Sequence, residues 1–342
     1  MRLFNLDLHI SVIEDVKTIL TDLGHTVDSK SLSGHTWVFG REPDHIDVVS
    51  QENWRTLNQE MCDAFYNRYE KELSSYDGFL VTYPPAFSLL FEKFNKPIFV
   101  VAATRYEAPF SNDWKEWEWF NSKLTDMIDR GQLIPLTNNL YDKFYCEHFT
   151  KKEWKHIPSI CEYTGAKYTG TKEESIFSAK TNVPPSHCKH IKSLGRHTWE
   201  ELYSYKSIVH VPYNFSIMSI FEQYTANVPL LFPSFEFGLT VGSVYPSILR
   251  VAGYLTEILF EPNIITAYQL REIVNPDTLL FADYYDKEWM PHILHYDSGE
   301  HLVELLESTD FEEVSNSMKT YNKERKKKIY SLWEEVMNGR AN

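Results

Sequence analysis

Two clusters in this chain have residue types and spacing suited to chemistry. In NLDLHIS (5–11), Asp7 and His9 stand two apart, so along a strand their side chains share one face. A carboxylate and an imidazole so placed can move a proton, either one as base and the other as orienter. The second cluster is SIVHVPYNFSIMSIFEQYTANVPLLFPS (207–234), where Tyr213, Asn214, Ser216, Ser219 and Glu222 follow a short β-branched run. Ser216 and Ser219 fall at the start of a helix. Their hydroxyls, with the unpaired N–H groups and positive dipole end of that helix, can hold phosphate oxygens.

The elements that must position these groups follow from apolar periodicity. Ser207–Val211 and Val228–Phe232 read as strands around one helix of about three turns. Asn214 or Ser216 can cap its start, and Asn227 suits the left-handed residue that ends it. At the N-terminus, Arg2–Leu8 reads as a buried strand and Val12–Leu23 as a helix stopped by Gly24. Ile46–Ser50 is a short strand candidate, Trp54–Ser74 has helical spacing, and Gly78–Thr82 is a strand. Pro84-Pro85 starts a helix over Ala86–Phe94, and Ile98–Ala102 is the strongest strand of all. A helix over 111–130, a strand in 132–139 and a helix over Tyr141–Phe149 complete the first half. Near 156–174 the chain turns to Gly, Thr and Lys, which places the domain crossover there. A second alternating set runs from Ser175–Ala179 through His190–Leu194, Trp199–Ser204 and an apolar helical stretch at Val244–Leu259. A long helical tail, Asp310–Asn338, ends the chain. Strands alternating with helices give an α/β protein of two doubly wound parallel sheets, with ligands at the carboxyl ends of the strands.

Three more loops leave strand ends on the side of Asp7 and His9. SGHTW (33–37) offers His35 and Trp37, and Tyr83 precedes the proline pair. ATRYEAP (103–109) offers Thr104, Arg105 and Glu107, which serve either a site or an interdomain salt bridge. Asn138 and Asn139 end a further strand, facing a ligand or capping the next helix.

Composition excludes several classes. The 342 residues carry a net charge of −14, opposite to a surface built for a nucleic acid polymer, yet a few local cations suffice for a diphosphate. The basic run KERKKK (323–328) sits among acids on a helix and reads as a solvated face. The 15% aromatic content, concentrated in FYNRY (65–69) and WKEWEWF (114–120), indicates core packing, a carbohydrate platform, or both. Four widely spaced cysteines without a CxxC indicate neither zinc nor a disulfide framework. With no signal peptide and no apolar run of the ~20 residues a membrane helix needs, the expected location is cytoplasmic. GxGxxG, Walker and GxSxG motifs are absent, and ADYYD (282–286) lies in a polar stretch rather than forming a metal-binding DxD.

The whole pattern resembles the GT-B glycosyltransferases, and the second half resembles their family-4-like members. That pattern is a proline after a strand, a glutamate, seven residues, a second glutamate, then glycine and proline five and seven residues further on. Here Pro212, Asn214, Glu222, Asn227 and Pro229 occupy those positions. The resemblance implies GT-B architecture, two Rossmann-like doubly wound domains facing each other across a cleft. Residues 1–155 would bind acceptor, 156–320 would bind nucleotide-sugar, and 321–342 would be a terminal helix. Glu222 inherits the ribose hydroxyls, which a carboxylate can accept as a pair. Lys180, after SIFSA, stands where the family places a cation for the diphosphate, with Arg196 as its rival. Tyr213 or Asn214 would lie near the donor sugar.

Asn214 replaces the first glutamate, which shifts the expectation toward inversion with the base on the first domain, at His9 or Asp7. His35, Trp37, Tyr83, Thr104, Arg105 and Glu107 would form the acceptor wall. The implied activity is metal-independent hexosyl or pentosyl transfer from a nucleoside diphosphate sugar, UDP or GDP, to a hydroxyl of a glycan or other acceptor. No further cofactor is expected. A nucleotide-sugar epimerase and a noncatalytic nucleotide- or sugar-binding protein are the alternatives.

Overall fold

Two separate parallel sheets organise the chain. The computed structural model describes residues 1–103, 106, 108–110, 113–179, 184–212, 214–240 and 280–339. Of these, 1–159 and 330–339 form one compact unit, and 160–240 with 280–329 form the other. The expected helix at Val244–Leu259 lies outside the described residues.

The first unit holds β1 (Arg2–Asp7), β2 (Thr26–Ser31), β3 (Gly78–Val81), β4 (Ile98–Ala102), β5 (Leu133–Thr137) and β6 (Lys155–His156). Their order is β2-β1-β3-β4-β5-β6, and every pair is parallel. Strands β3 and β4 are buried at every residue, which explains their unbroken apolar runs: helices cover both faces. These helices are α1 (Ile10–Asp22), α2 (Gln59–Leu73), α3 (Ser88–Phe91), α4 (Trp114–Asp129) and α5 (Leu140–Thr150). Helix α1 buries Ile10, Ile13, Val16, Ile19 and Leu20 at helical spacing. It ends at Gly24, whose φ of +84° suits a residue without Cβ.

The aromatic segments pack the core. Phe79 stacks on Phe91 at 4.4 Å, and Phe4 and Phe65 meet Phe91 edge-on. Each such fully buried ring stabilises the fold by about 1.5–3 kcal/mol. From WKEWEWF, Trp117 and Phe120 surround the buried Tyr106.

Three local expectations are corrected. Ile46–Ser50 forms no strand, because Val48 turns to φ +77° and Asn53 binds both the Ser50 N–H and the Val48 carbonyl. The helix expected over Trp54–Ser74 splits: a 3-10 turn at Trp54–Thr56 stops, and Asn58 caps a new start by accepting from Met61 N–H. The helix over Ala86–Phe94 becomes a 3-10 turn, α3 and a second 3-10 turn.

The second unit orders β7 (Ser175–Ser178), β8 (Cys188–His190), β9 (Ile208–His210), β10 (Leu230–Pro233) and β11 (Leu294–Tyr296) as β11-β10-β9-β7-β8, again all parallel. Helices α6 (Trp199–Leu202), α7 (Met218–Thr225), α8 (Phe235–Thr240) and α9 (Gly299–Ser308) accompany them, with α10 (Phe311–Asn338) as far as residue 329, its remainder belonging to the first unit. Phe177, Val209, Leu231, Tyr296, Leu302, Leu306 and Phe311 form one of its core clusters. In the stretch His190–Leu194, β8 ends at His190 and a 3-10 turn follows. Both sheets therefore belong to the doubly wound α/β class.

The basic run on α10 is only partly a solvated face. Lys326, Lys327 and Lys328 pair with Glu162, Glu324 and Glu288, but Arg325 is buried, donating to Thr225 Oγ1 at 3.2 Å above the Tyr224 ring. Among the described residues no helix is long and apolar enough to cross a membrane.

Candidate functional site

A doubly wound sheet opens a crevice where strand order reverses, at the carboxyl ends of the two strands from which the connections diverge. In the first unit these are β1 and β3: Asp7 is the last residue of β1, and His9 and Tyr83 lie just past the two strand ends. Leu8 N–H donates to the Tyr83 carbonyl at 2.8 Å, tying the two strand ends together. The His9 ring meets the Tyr83 ring edge-on at 6.2 Å, and Tyr83 in turn packs on Trp54, a residue that no motif or spacing marks as part of a site.

Asp7 and His9 do not act as two side chains on one strand face, because β1 ends at Asp7. Instead Asp7 Oδ1 accepts from the His9 backbone N–H at 2.7 Å and from the Ser31 hydroxyl at 3.1 Å. Asp7 Oδ2 is buried with no hydrogen-bond partner among the described residues. Burial pushes this carboxyl up to about 7, against the pull of the His9 and Ser31 hydrogen bonds. His9 stands at the N-cap of α1 without capping it through its ring, and it is half-buried.

The loop after β2 hangs from the same carboxylate. Ser31 Oγ accepts from Ser33 N–H at 3.3 Å, Ser33 Oγ accepts from His35 N–H at 3.2 Å, and Leu32 N–H donates to the Asp7 carbonyl. His35 and the 57%-exposed Trp37 thus sit on a turn anchored to Asp7. Thr104, Arg105 and Glu107 lie outside the described residues. Asn139 caps α5, and Asn138 donates to Ser159 Oγ.

In the second unit the reversal falls between β7 and β9, joined by Val211 N–H to the Ser178 carbonyl at 3.0 Å. Lys180 and Tyr213 lie outside the described residues, and Arg196 is exposed in the loop before α6. Helix α7 begins later than expected. Its N-cap is Ile217, with no side-chain cap, so neither Asn214 nor Ser216 serves that end. Asn214 Oδ1 instead accepts from Phe215 N–H, and Ser216 is buried just before the cap. Ser219 is the second residue of α7, and Glu222, three further on, shares its face.

The far end of α7 agrees with the sequence. Asn227 sits at φ +65°, its N–H donating to the Tyr224 carbonyl and that of Val228 to the Gln223 carbonyl, a Schellman termination.

Glu222 is buried, and each carboxylate oxygen accepts one aromatic donor: Oε1 from Tyr163 hydroxyl at 2.5 Å, Oε2 from Trp199 Nε1 at 3.2 Å. Burial raises its pKa, and the two hydrogen bonds oppose that rise. The buried His210 lies 2.7 Å through Nε2 from Gln223 Oε1, and because an amide oxygen only accepts, Nε2 is the donor. Its ring stacks on Phe232, which stacks on Tyr284. Burial lowers His210 to about 4, so the imidazole is neutral. The ADYYD segment is not a polar stretch: Ala282, Asp283 and Tyr284 are buried, Asp283 N–H donates to the Phe215 carbonyl and Tyr284 hydroxyl to that of Asn214. Sequence reasoning missed Tyr163, Trp199, His210 and Tyr284. Among the described residues, a groove of about 810 Å³ lined by His292, Asp310, Glu313 and Tyr321 includes none of the candidate residues.

No protein-family model matches the chain. No curated protein matches it either. Solved structures with similarity include the glycosyltransferase SnogD from Streptomyces nogalater, at 11% identity over 89% of this chain and 99% of that one, with a TM-score of 0.39. The spinosyn rhamnosyltransferase SpnG is 12% identical over 90% and 100%, at a TM-score of 0.38. MnaA of S. aureus, in a co-structure with UDP, is 12% identical over 85% and 95%, at 0.33. Likeness at this level carries no argument about activity, which rests on the residues.

Proposed function

We propose that the chain is a GT-B glycosyltransferase that moves a sugar from a nucleoside diphosphate to an acceptor hydroxyl, with inversion and without a metal ion. The observation that carries this reading is the buried Asp7 carboxyl, raised to about 7 and bonded to the backbone of His9 at the strand reversal of the first unit. In this mechanism His9 takes the acceptor hydroxyl proton and Asp7 positions His9 through its N–H. The acceptor oxygen bonds to the sugar's anomeric carbon as the bond from that carbon to the diphosphate oxygen breaks. On the second unit, the first turn of α7, free of a side-chain cap among the described residues, takes the charge that develops on the leaving diphosphate. Ser216, Ser219 and Lys180 or Arg196 complete that cradle, Glu222 takes the ribose, and Tyr213 or Asn214 meets the sugar. His35, Trp37, Tyr83, Thr104, Arg105 and Glu107 shape the acceptor side.

A thermal-shift screen of UDP, GDP, ADP, CMP and TDP tests the donor half. A ligand at 100 times its dissociation constant adds about 2.7 kcal/mol of stability. The absence of a shift with all five refutes the reading. One observation favours a nucleotide-sugar epimerase instead: a second carboxylate residue, Asp283, buried against the 214–215 loop. Release of nucleotide and an altered sugar from donor alone, without acceptor, would support that chemistry.

A further inference from the structure

The carboxylate assigned to ribose is held in a setting that the chain builds from distant parts. Glu222 lies on α7, Tyr163 59 residues before it and Trp199 23 residues before it, yet each donates to a different oxygen of the same carboxylate. The two rings stand 6.1 Å apart at 60°. A carboxylate offers about two lone-pair directions per oxygen, so one donor on each leaves one direction on each. That residual capacity matches a vicinal diol, which presents two hydroxyls at once.

The turn that carries Tyr163 is itself fastened to the helix it serves. Thr225 hydroxyl donates to the Ile160 carbonyl, Cys161 Sγ reaches the Met218 carbonyl at 4.0 Å, and Glu162 pairs with Lys326 at 2.7 Å. Tyr163 therefore approaches Glu222 from a 3-10 turn, Glu162–Thr164, pinned at both ends of α7 and to α10. Tyrosine and tryptophan have few rotatable bonds, so once their backbones are fixed their donors hold direction at small entropic cost.

We propose that Tyr163 and Trp199 are positioning residues that orient the Glu222 carboxylate so that its remaining lone pairs accept the 2′- and 3′-hydroxyls of a nucleoside diphosphate. This rests on the reading of Glu222 as the ribose-binding carboxylate. Both donors also pull the carboxyl's pKa down, against the burial that raises it. Loss of either donor lets Glu222 protonate at a higher pH.

The test is isothermal titration of the full chain with UDP and GDP, each beside its 2′,3′-dideoxy counterpart, in wild type, Tyr163→Phe and Trp199→Phe. The expected result is that Tyr163→Phe cuts the preference for the ribonucleotide about tenfold, one hydrogen bond to a charged group, while affinity for the 2′,3′-dideoxy form stays within about twofold. The pH below which the ribose preference fades also moves upward in that variant. An unchanged preference overturns the proposal, as does equal weakening of both nucleotides, which is the mark of a purely structural tyrosine. Wild type binding ribo and dideoxy forms equally removes Glu222 from the ribose and the proposal with it. Wild type binding neither nucleotide refutes the donor site itself, a distinct outcome.

Discussion

Replacing Asp7 with Asn should make the protein more stable at neutral and alkaline pH, although the residue is fully buried beside the proposed base. The folded carboxyl titrates at about 7 against an ordinary 3.8, raised chiefly by burial. Below pH 4 both folded and unfolded chains hold the proton, and Asp7 imposes no penalty. Between about 4 and 7 the unfolded chain releases a proton that the folded chain keeps, so stability falls as pH rises. Above 7 the deficit is constant. At about 1.4 kcal/mol per pH unit, the gap amounts to about 4 kcal/mol.

Asn keeps an Oδ1 acceptor for His9 N–H and Ser31 hydroxyl, and its NH2 group takes the place of an oxygen that has no partner among the described residues. Wild type and variant should therefore differ by no more than about 1 kcal/mol near pH 4.5, where the carboxyl is itself neutral, and by up to about 4 kcal/mol in favour of Asn at pH 8. Urea unfolding at half-unit pH steps from 4.5 to 8.5 measures the difference. A difference that stays flat across that range refutes the raised carboxyl and the proposed role of Asp7 beside His9. Because Oδ1 survives in Asn, turnover should survive Asp7→Asn better than Asp7→Ala, which leaves His9 N–H without its acceptor.

His210 predicts the opposite slope. Its imidazole is lowered by burial from 6.5 to about 4, so as pH falls through that window the unfolded chain gains a proton that the folded chain refuses, and about 3 kcal/mol is lost. His210→Gln should flatten the acid side of the urea-stability profile, and an unchanged acid slope would show that the ring is accessible to protons. Within KERKKK, Arg325→Ala should cost about 2–3 kcal/mol because it removes a buried stem and the Thr225 contact. Lys327→Ala, on a side chain 73% exposed, should stay within about 0.5 kcal/mol; equal effects in paired thermal melts would contradict the burial of Arg325.

The residues that were legible in the sequence are those whose environment is set by close neighbours. Strands β3 and β4 read clearly because parallel strands covered on both faces need apolar residues at every position. Gly24 and Asn227 read as stops because a left-handed residue is required within one turn of a helix end. Where a side chain competes for backbone groups the reading failed: Asn53 closed a turn over a β-branched run, and Asn58 restarted a helix whose periodicity gave no sign of a break.

Arg325 is an exception, because its burial is legible in the sequence. It lies seven residues after Met318 and four before Ile329, on the stripe that continues through Trp333 and Met337, all of them buried, so helical periodicity marks it as inward even inside a basic run. The candidate site divides along the same line. Asp7 and His9 are close in sequence, and their association was visible, but its form was not. The hydrogen bond runs to the His9 backbone because β1 stops one residue before Leu8, and the strand-end contact of Leu8 with Tyr83 that accompanies this comes from 75 residues away. Glu222 is singled out by its place in a pattern that resembles a known family's, whereas the donors Tyr163 and Trp199 are not, since neither lies within helical reach of α7. Spacing identifies which group can do chemistry, and tertiary contacts decide its charge and direction, so the burial of Asp7 and the two donors on Glu222 are the features on which activity should depend most.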